Sequence, residues 1–299
     1  MKMYLPLLLL ACVAGALAFG YSHVATAGPS LSVMTFNMGD IGEPAPGLEK
    51  VAETIRSSGI PDILFLQEAP GAGGAAFLAH QLGMSSHVFF PYRNRSSGMA
   101  ILADAQLHNP RVLHFKASDR GRGAILAEIT FRGGPIGLCS VHLDHISSVP
   151  TVSRKVLKVS LRKALTLIHQ ELVSHTIRTR STEELLAWPA LRRYEKLIIG
   201  GDFNTIPFSR PIRLMDDRFN DVLWPSLEYF KGSYKKTTLP VAPRIDFIFV
   251  SREIPALEAA VRRDTPGDHY PIRARVVLEG KRTFSGILEE RYRGFVAGK

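Results

Sequence analysis

Residues 197–207 read LIIGGDFNTIP. Three apolar residues run into two glycines, then an acid, an aromatic ring and an amide. In extended chain Asp202 and Asn204 lie two residues apart and face the same side. Gly, Asp and Asn also build ordinary turns. The stretch alone therefore leaves two readings, a polar exit from a buried strand or part of a chemical site, and the rest of the chain chooses between them.

Outward from this stretch, apolar strands alternate with helices and loops. LSVMTFN (31–37), PDILFLQE (61–68), GMAILA (98–103), GAILAEITF (123–131), IGLCSVHL (136–143), RIDFIFVS (244–251) and YPIRARVVL (270–278) read as strands. LEKVAETIRSSG (48–59) carries Leu48, Val51, Ala52 and Ile55 at helical spacing before a Gly stop. GAGGAAFLAHQLG (71–83) reads as a Gly-rich loop leading into a short helix. Residues 156–177 give the longest helical pattern, with Leu157, Leu161, Leu165 and Ile168 as its apolar stripe. No internal repeat or low-complexity linker divides the chain, which predicts one domain over 28–280 and a basic, weakly patterned tail over 281–299.

The strands share a habit of ending in polar side chains. LSVMTFN ends on Asn37 and ILFLQE on Glu68. His142 lies near the end of GLCSVHL, and Asp202 and Asn204 close LIIGGDFN. Asp246 opens a strand on the face of Ile248 and Val250, and Asp268 and His269 precede the last strand. One polar end is ordinary. Six, drawn almost wholly from Asn, Asp, Glu and His, point to a shared site. Carboxylates gathered without partners are costly and repel one another unless a cation or protons intervene. An oxygen-rich set with few histidines suits Mg2+, Mn2+ or Ca2+ better than Zn2+.

TFNMGD, PDILFLQE, SVHLDH, IIGGDFNTIP, RIDFIFVS and GDHYPI resemble, in order, the motif series of the endonuclease/exonuclease/phosphatase superfamily. That superfamily includes proteins similar to deoxyribonuclease I, bacterial sphingomyelinases and inositol polyphosphate phosphatases. The resemblance spans roughly residues 31–276. It implies a four-layer α/β/β/α sandwich of two mixed sheets, with the polar strand ends converging on one cleft. It also implies metal-dependent hydrolysis of phosphoric esters by an activated water. On the matching positions, Glu68, Asn37 and Asp268 would hold the metal. Asp202 would activate the water, and Asn204 would bind the phosphoryl oxygen. His269, oriented by Asp246, and His142 would face the phosphate, with His142 a candidate proton donor to the leaving oxygen. Arg122 falls where many members place a phosphate-binding arginine. One departure is Gly267, where the family usually has a serine.

The chain carries 37 basic and 27 acidic residues, a net charge of +10, which favours an anionic partner. Nucleic acid is the expected partner and a membrane surface the alternative, with the protein a monomer. Residues 154–196 are rich in Arg and Lys against four glutamates, a sequence-independent phosphate-binding pattern. SLEYFKGSYKK (226–236) sets Tyr229, Phe230 and Tyr234 among lysines and is the nearest candidate for lipid contact. Lys2, an apolar run over 4–19 and ATA at 25–27 predict an export signal cleaved after Ala27, hence a secreted or periplasmic protein. Cys139 would then be the sole cysteine, placed in an apolar strand as a core thiol.

Overall fold

The computed structural model describes residues 29–39, 46–145, 166, 169–235, 242–263, 265 and 267–278. The predicted export signal, most of the basic stretch 154–168 and the 281–299 tail lie outside the described residues. Two mixed six-stranded sheets form the centre. The first comprises β1 (Ser30–Asn37), β2 (Ile63–Ala69), β3 (Ser86–Pro91), β4 (Gly98–Ala103), β11 (Ala256–Val261) and β12 (Ile272–Val277), in the order β11-β12-β1-β2-β4-β3. The second comprises β5 (His108–His114), β6 (Gly123–Phe131), β7 (Gly134–His142), β8 (Leu197–Asp202), β9 (Phe219–Asp221) and β10 (Asp246–Ser251), in the order β5-β6-β7-β8-β10-β9. The pairs β1–β2 and β7–β8 run parallel.

Period-two alternation divides each central strand between two cores. In β10, Ile248 and Val250 face the first sheet, while Phe247 and Phe249 face outward. In β1, Val33 faces between the sheets and Met34 and Phe36 face out. The outer face of the first sheet is covered by α1 (Pro46–Ser57) and α2 (Gly71–Leu82). The outer face of the second is covered by α3 (Ile177–Ala187) and α4 (Arg210–Asp216). The expected four-layer sandwich is therefore present.

The two glycines of LIIGGD follow from this packing. Gly200 lies on the face toward the first sheet, where an added Cβ would sit 2.4 Å from the Phe65 ring. Any side chain there would push the sheets apart beside the site.

The four strands that the sequence pattern does not show, β3, β5, β9 and β11, are all sheet edges. β3, β5 and β11 are largely half-buried or exposed, so no continuous apolar run marks them. The Gly-rich segment differs from expectation, because the helix begins at Gly71 itself. Burial of Gly74, Ala75, Leu78 and Leu82 overrides the weak helix propensity of glycine. The predicted helix 156–177 lies mostly outside the described residues. Its described end is helical over 169–173 and then breaks, and α3 starts afresh with Thr176 as its cap.

Candidate active site

Sheet register alone places three polar residues side by side. His142 pairs across β7–β8 with Asp202, and Asp202 pairs across β8–β10 with Asp246. The first sheet contributes Asn37, whose Nδ2 donates to Asp202 Oδ2 at 2.9 Å. That bond ties the two sheets together at the cleft. Asn204 takes a left-handed backbone, φ 50°, which Asn tolerates better than most residues. Its N–H donates to Asp202 Oδ1 at 2.8 Å, and its Nδ2 donates to Leu143 O at 2.9 Å and to Asp202 Oδ2 at 3.1 Å. The DFN stretch is thus a tight polar turn and part of the site at once.

Glu68 reaches the cleft against the strand's alternation. Leu64 and Leu66 face outward and Phe65 faces the other sheet, so period two would send Glu68 out beside Leu66. The β2–β4 register slips between Gln67 and Ala69, and Glu68 sits at φ 61°. This bulge re-aims the carboxylate. Its Oε1 accepts from Arg122 Nη2 at 2.9 Å, and its N–H donates to Tyr92 Oη at 3.0 Å. Arg122 is buried, with its guanidinium 4.2 Å over the Tyr92 ring.

Asp268 and His269 lie in a loop pinned by residues 233–235. Lys235 N–H donates to Asp268 O at 2.7 Å and Tyr270 N–H to Ser233 O at 2.7 Å. His269 Nδ1–H donates to Asp246 Oδ2 at 2.9 Å. Arg244, two residues before Asp246, pairs instead with Asp221 at 2.7 Å. Asp268 abuts Gly39, where a Cβ would stand 2.2 Å from Oδ1. Gly39 has φ +44° and donates its N–H to Asn37 Oδ1 at 3.0 Å. All nine sequence-predicted residues therefore converge on one end of the sandwich.

Residues 34–269 match the model described as the Endonuclease/Exonuclease/phosphatase family. The chain belongs to that family. Its members are phosphoric ester hydrolases, typically metal-dependent. No curated protein matches it in a sequence search. Among solved structures, the family protein from Beutenbergia cavernae DSM 12333 is 19% identical with TM-score 0.60, over 84% of this chain and 72% of that one. The human Nocturnin catalytic domain with bound sulfate is 19% identical with TM-score 0.61, over 83% and 93%. D. rerio TDP2 complexed with single-strand DNA product is 18% identical with TM-score 0.57, over 83% and 98%.

The cleft holds two histidines in opposite electrostatic settings. Burial opposes charge on His269, but Asp246, its hydrogen bond, Asp202 and Asp268 outweigh it and push the pKa up to about 9. His142 is lowered well below its ordinary value by burial, then by Arg122, His269 and His145. Tyr92 and Asn204 hold the two ring nitrogens of His142. The Tyr92 oxygen accepts from Glu68 N–H and shares a 2.6 Å hydrogen bond with His142 Nδ1, while His142 Nε2 lies 3.2 Å from Asn204 Nδ2. Burial and the neighbouring cations leave this ring neutral. Asp202 rises to about 7, chiefly through burial and then through its neighbour Asp246.

A hard cation fits this donor set. Asp202, Asp246 and His269 offer ligand atoms all within 4.8 Å of one another. Asp246 Oδ1 is buried with no hydrogen-bond partner. The expected donors Glu68, Asn37 and Asp268 line the same end of the sandwich, Glu68 Oε1 accepting from Arg122 and Asn37 Nδ2 donating to Asp202; with His269 Nδ1–H committed to Asp246, oxygen donors suit a hard cation better than this imidazole does. Two further residues escape sequence reading. Tyr92 bridges Glu68 and His142, and Tyr234 packs edge-on to His269 at 5.0 Å between ring centroids. Burial, then the carboxylates of Asp268, Asp202 and Glu68, raise the Tyr234 hydroxyl to about 12. Tyr92 follows the edge strand β3, so its polar strand-end position could have flagged it.

Proposed function

We propose that this chain is a divalent-metal-dependent phosphodiesterase acting on nucleic acid. The carrying observation is the register-fixed row of His142, Asp202 and Asp246 facing Asn37, with His269 hydrogen-bonded to Asp246 beside it. A water attacks phosphorus as its proton passes to Asp202 Oδ2, whose pKa near neutrality suits a general base. Asn204 and His142, 3.2 Å apart, form the polar wall beside the phosphoryl oxygens as negative charge gathers there. The ester P–O bond breaks, and the His269 imidazolium gives its Nε2 proton to the leaving oxygen. The leaving-group proton thus fits His269 rather than His142, the residue that the family resemblance offers for it. Arg122 offsets charge at Glu68 and lies beside the phosphate position.

Glu68, Asn37 and Asp268 would hold Mg2+, with Mn2+ or Ca2+ as alternatives, and the cation would supply Lewis-acid stabilisation of the phosphoryl oxygens.

The net charge of +10 supports a polyanionic substrate. Arg180, Arg192 and Arg193 are exposed and available to a phosphate backbone, whereas Arg178 is buried against Glu171 and is no part of such a track. The test is plasmid nicking in Mg2+, with EDTA and Asp202→Ala as controls. Nicking that needs both the metal and Asp202 is expected. Absence of nicking by folded protein would overturn the nucleic-acid assignment and move the search to phospholipids and small phosphodiesters.

A further inference from the structure

Among the described residues, six large hydrophobics are exposed, and four of them gather at one place. Phe208 is 51% exposed, Trp224 45%, Leu227 71% and Phe230 66%. They stand on two turns, one entering α4 and one following β9. Both meet at buried Tyr229, whose ring lies 5.6 Å from Phe208, 5.0 Å from Trp224 and 5.3 Å from Phe230. Tyr229 is itself seated on the Arg244 guanidinium at 4.3 Å, and Arg244 pairs with Asp221. The exposed rings therefore ride on a fixed base. Phe208 is held at φ 65°, and its carbonyl accepts from Arg213 Nη1 at 2.6 Å. A bulky residue in left-handed backbone is strained, and here that strain displays an aromatic ring to solvent.

We propose that this apolar island docks the protein on an anionic phospholipid bilayer. Three observations select that occupant. Leu227, the most exposed of the four, has no π-face, so the island is not a track for stacking bases. The backbone of the turn is satisfied internally, Tyr229 N–H bonding Ser226 O and Lys231 N–H bonding Glu228 O, so it can enter a poorly hydrated layer without orphaned donors. The rim is basic. Lys231 adjoins Phe230, and exposed Arg262 and Arg263 follow Val261, whose N–H donates to Glu228 Oε2 at 3.1 Å. The local acid, Glu228, is engaged by Lys231 and by that N–H. An apolar wedge ringed by cations is the pattern that seats at the boundary of headgroups and acyl chains.

The island is also tied to the cleft. Phe208 follows Asn204 by four residues, and Phe230 precedes Tyr234 by four. Docking here sets the cleft at the membrane surface, whichever phosphodiester it cleaves.

Trp224 reports on the island directly. The full chain carrying Trp188→Phe keeps Trp224 as its sole tryptophan, so binding through the apolar N-terminal residues does not mimic the signal. Brominated phosphatidylcholine vesicles with about one-third phosphatidylglycerol should quench and blue-shift Trp224. Adding Leu227→Ser and Phe230→Ser should abolish the quenching while leaving circular dichroism unchanged. Lys231→Gln should weaken partitioning by about fivefold. Absence of quenching on anionic vesicles overturns the proposal. So does a Trp224 response to an oligodeoxynucleotide alone, which would assign the island to nucleic acid. A lipid-free response that grows with protein concentration also overturns it, in favour of a second copy. None of these readouts depends on catalysis, so failure of the nuclease reading leaves the test intact.

Discussion

Asp246→Asn isolates the charge that sets the protonation of His269. The amide oxygen can still accept from His269 Nδ1–H, so the 2.9 Å contact survives while the negative charge is lost. His269 stands at about 9 against an ordinary value of 6.5. Each whole pH step corresponds to about 1.4 kcal/mol, so the raised value, to which Asp246, Asp202 and Asp268 all contribute, corresponds to about 3 kcal/mol of fold stability. Because the folded-state value is raised, that stabilisation is fully present below pH 6.5. It is lost as pH rises through about 9. The variant should therefore be less stable than wild type by up to about 3 kcal/mol near pH 6 and nearly equal to it above pH 9.5. Urea unfolding of metal-free protein at the two pH values reads this difference. Imidazole NMR, with His269→Gln supplying the assignment, should show the pKa falling to about 7 or below, because burial then acts with less opposition. A His269 titration that stays near 9 in the variant, or a stability deficit independent of pH, would refute the reasoning.

Asp202→Ala should lower the hydrolytic rate by about 10²–10⁴-fold in saturating Mg2+, read as initial rate against a phosphodiester substrate. Tyr92→Phe removes the hydroxyl shared by Glu68 N–H and His142 Nδ1 and leaves a buried donor unmet. It should cost about 1–3 kcal/mol in urea unfolding, and kcat should fall more than KM rises. Gly200→Ala should cost about 1–3 kcal/mol, because the new methyl meets Phe65 in the sheet interface, as a thermal melt would record. Cys139, buried and with its thiol pKa pushed up by burial, should resist Ellman's reagent in the folded protein and react fully in denaturant.

Much of the site was legible in sequence because sheets convert order into geometry. A strand that ends in Asp202 must place it at the strand's end, and a neighbouring strand that starts with Asp246 must present it at the same edge. The buried runs of β1, β2, β4, β6, β7, β8, β10 and β12 are apolar because both faces are covered, so pattern alone marks them. Edge strands lack that double cover, and β3, β5, β9 and β11 left no comparable trace. Glu68 was readable as a strand end but not as a left-handed bulge, since the slip against β4 depends on a partner strand distant in sequence. The places of Tyr92 and Tyr234 in the cleft were hidden for the same reason. Each gains its meaning from one hydrogen bond or ring contact to a residue far along the chain.

The sequence by itself determined the element types, the polar strand ends and the oxygen-rich donor set, because these rest on local periodicity and side-chain chemistry. Only the tertiary structure decided the protonation of the two histidines. His142 and His269 are the same residue type, yet one faces Arg122 and a tyrosine hydroxyl and the other faces three carboxylates. It also decided that Phe208, Trp224, Leu227 and Phe230 share one surface. Burial and field at a point are set by every chain segment that folds against it, and no local window of sequence contains them.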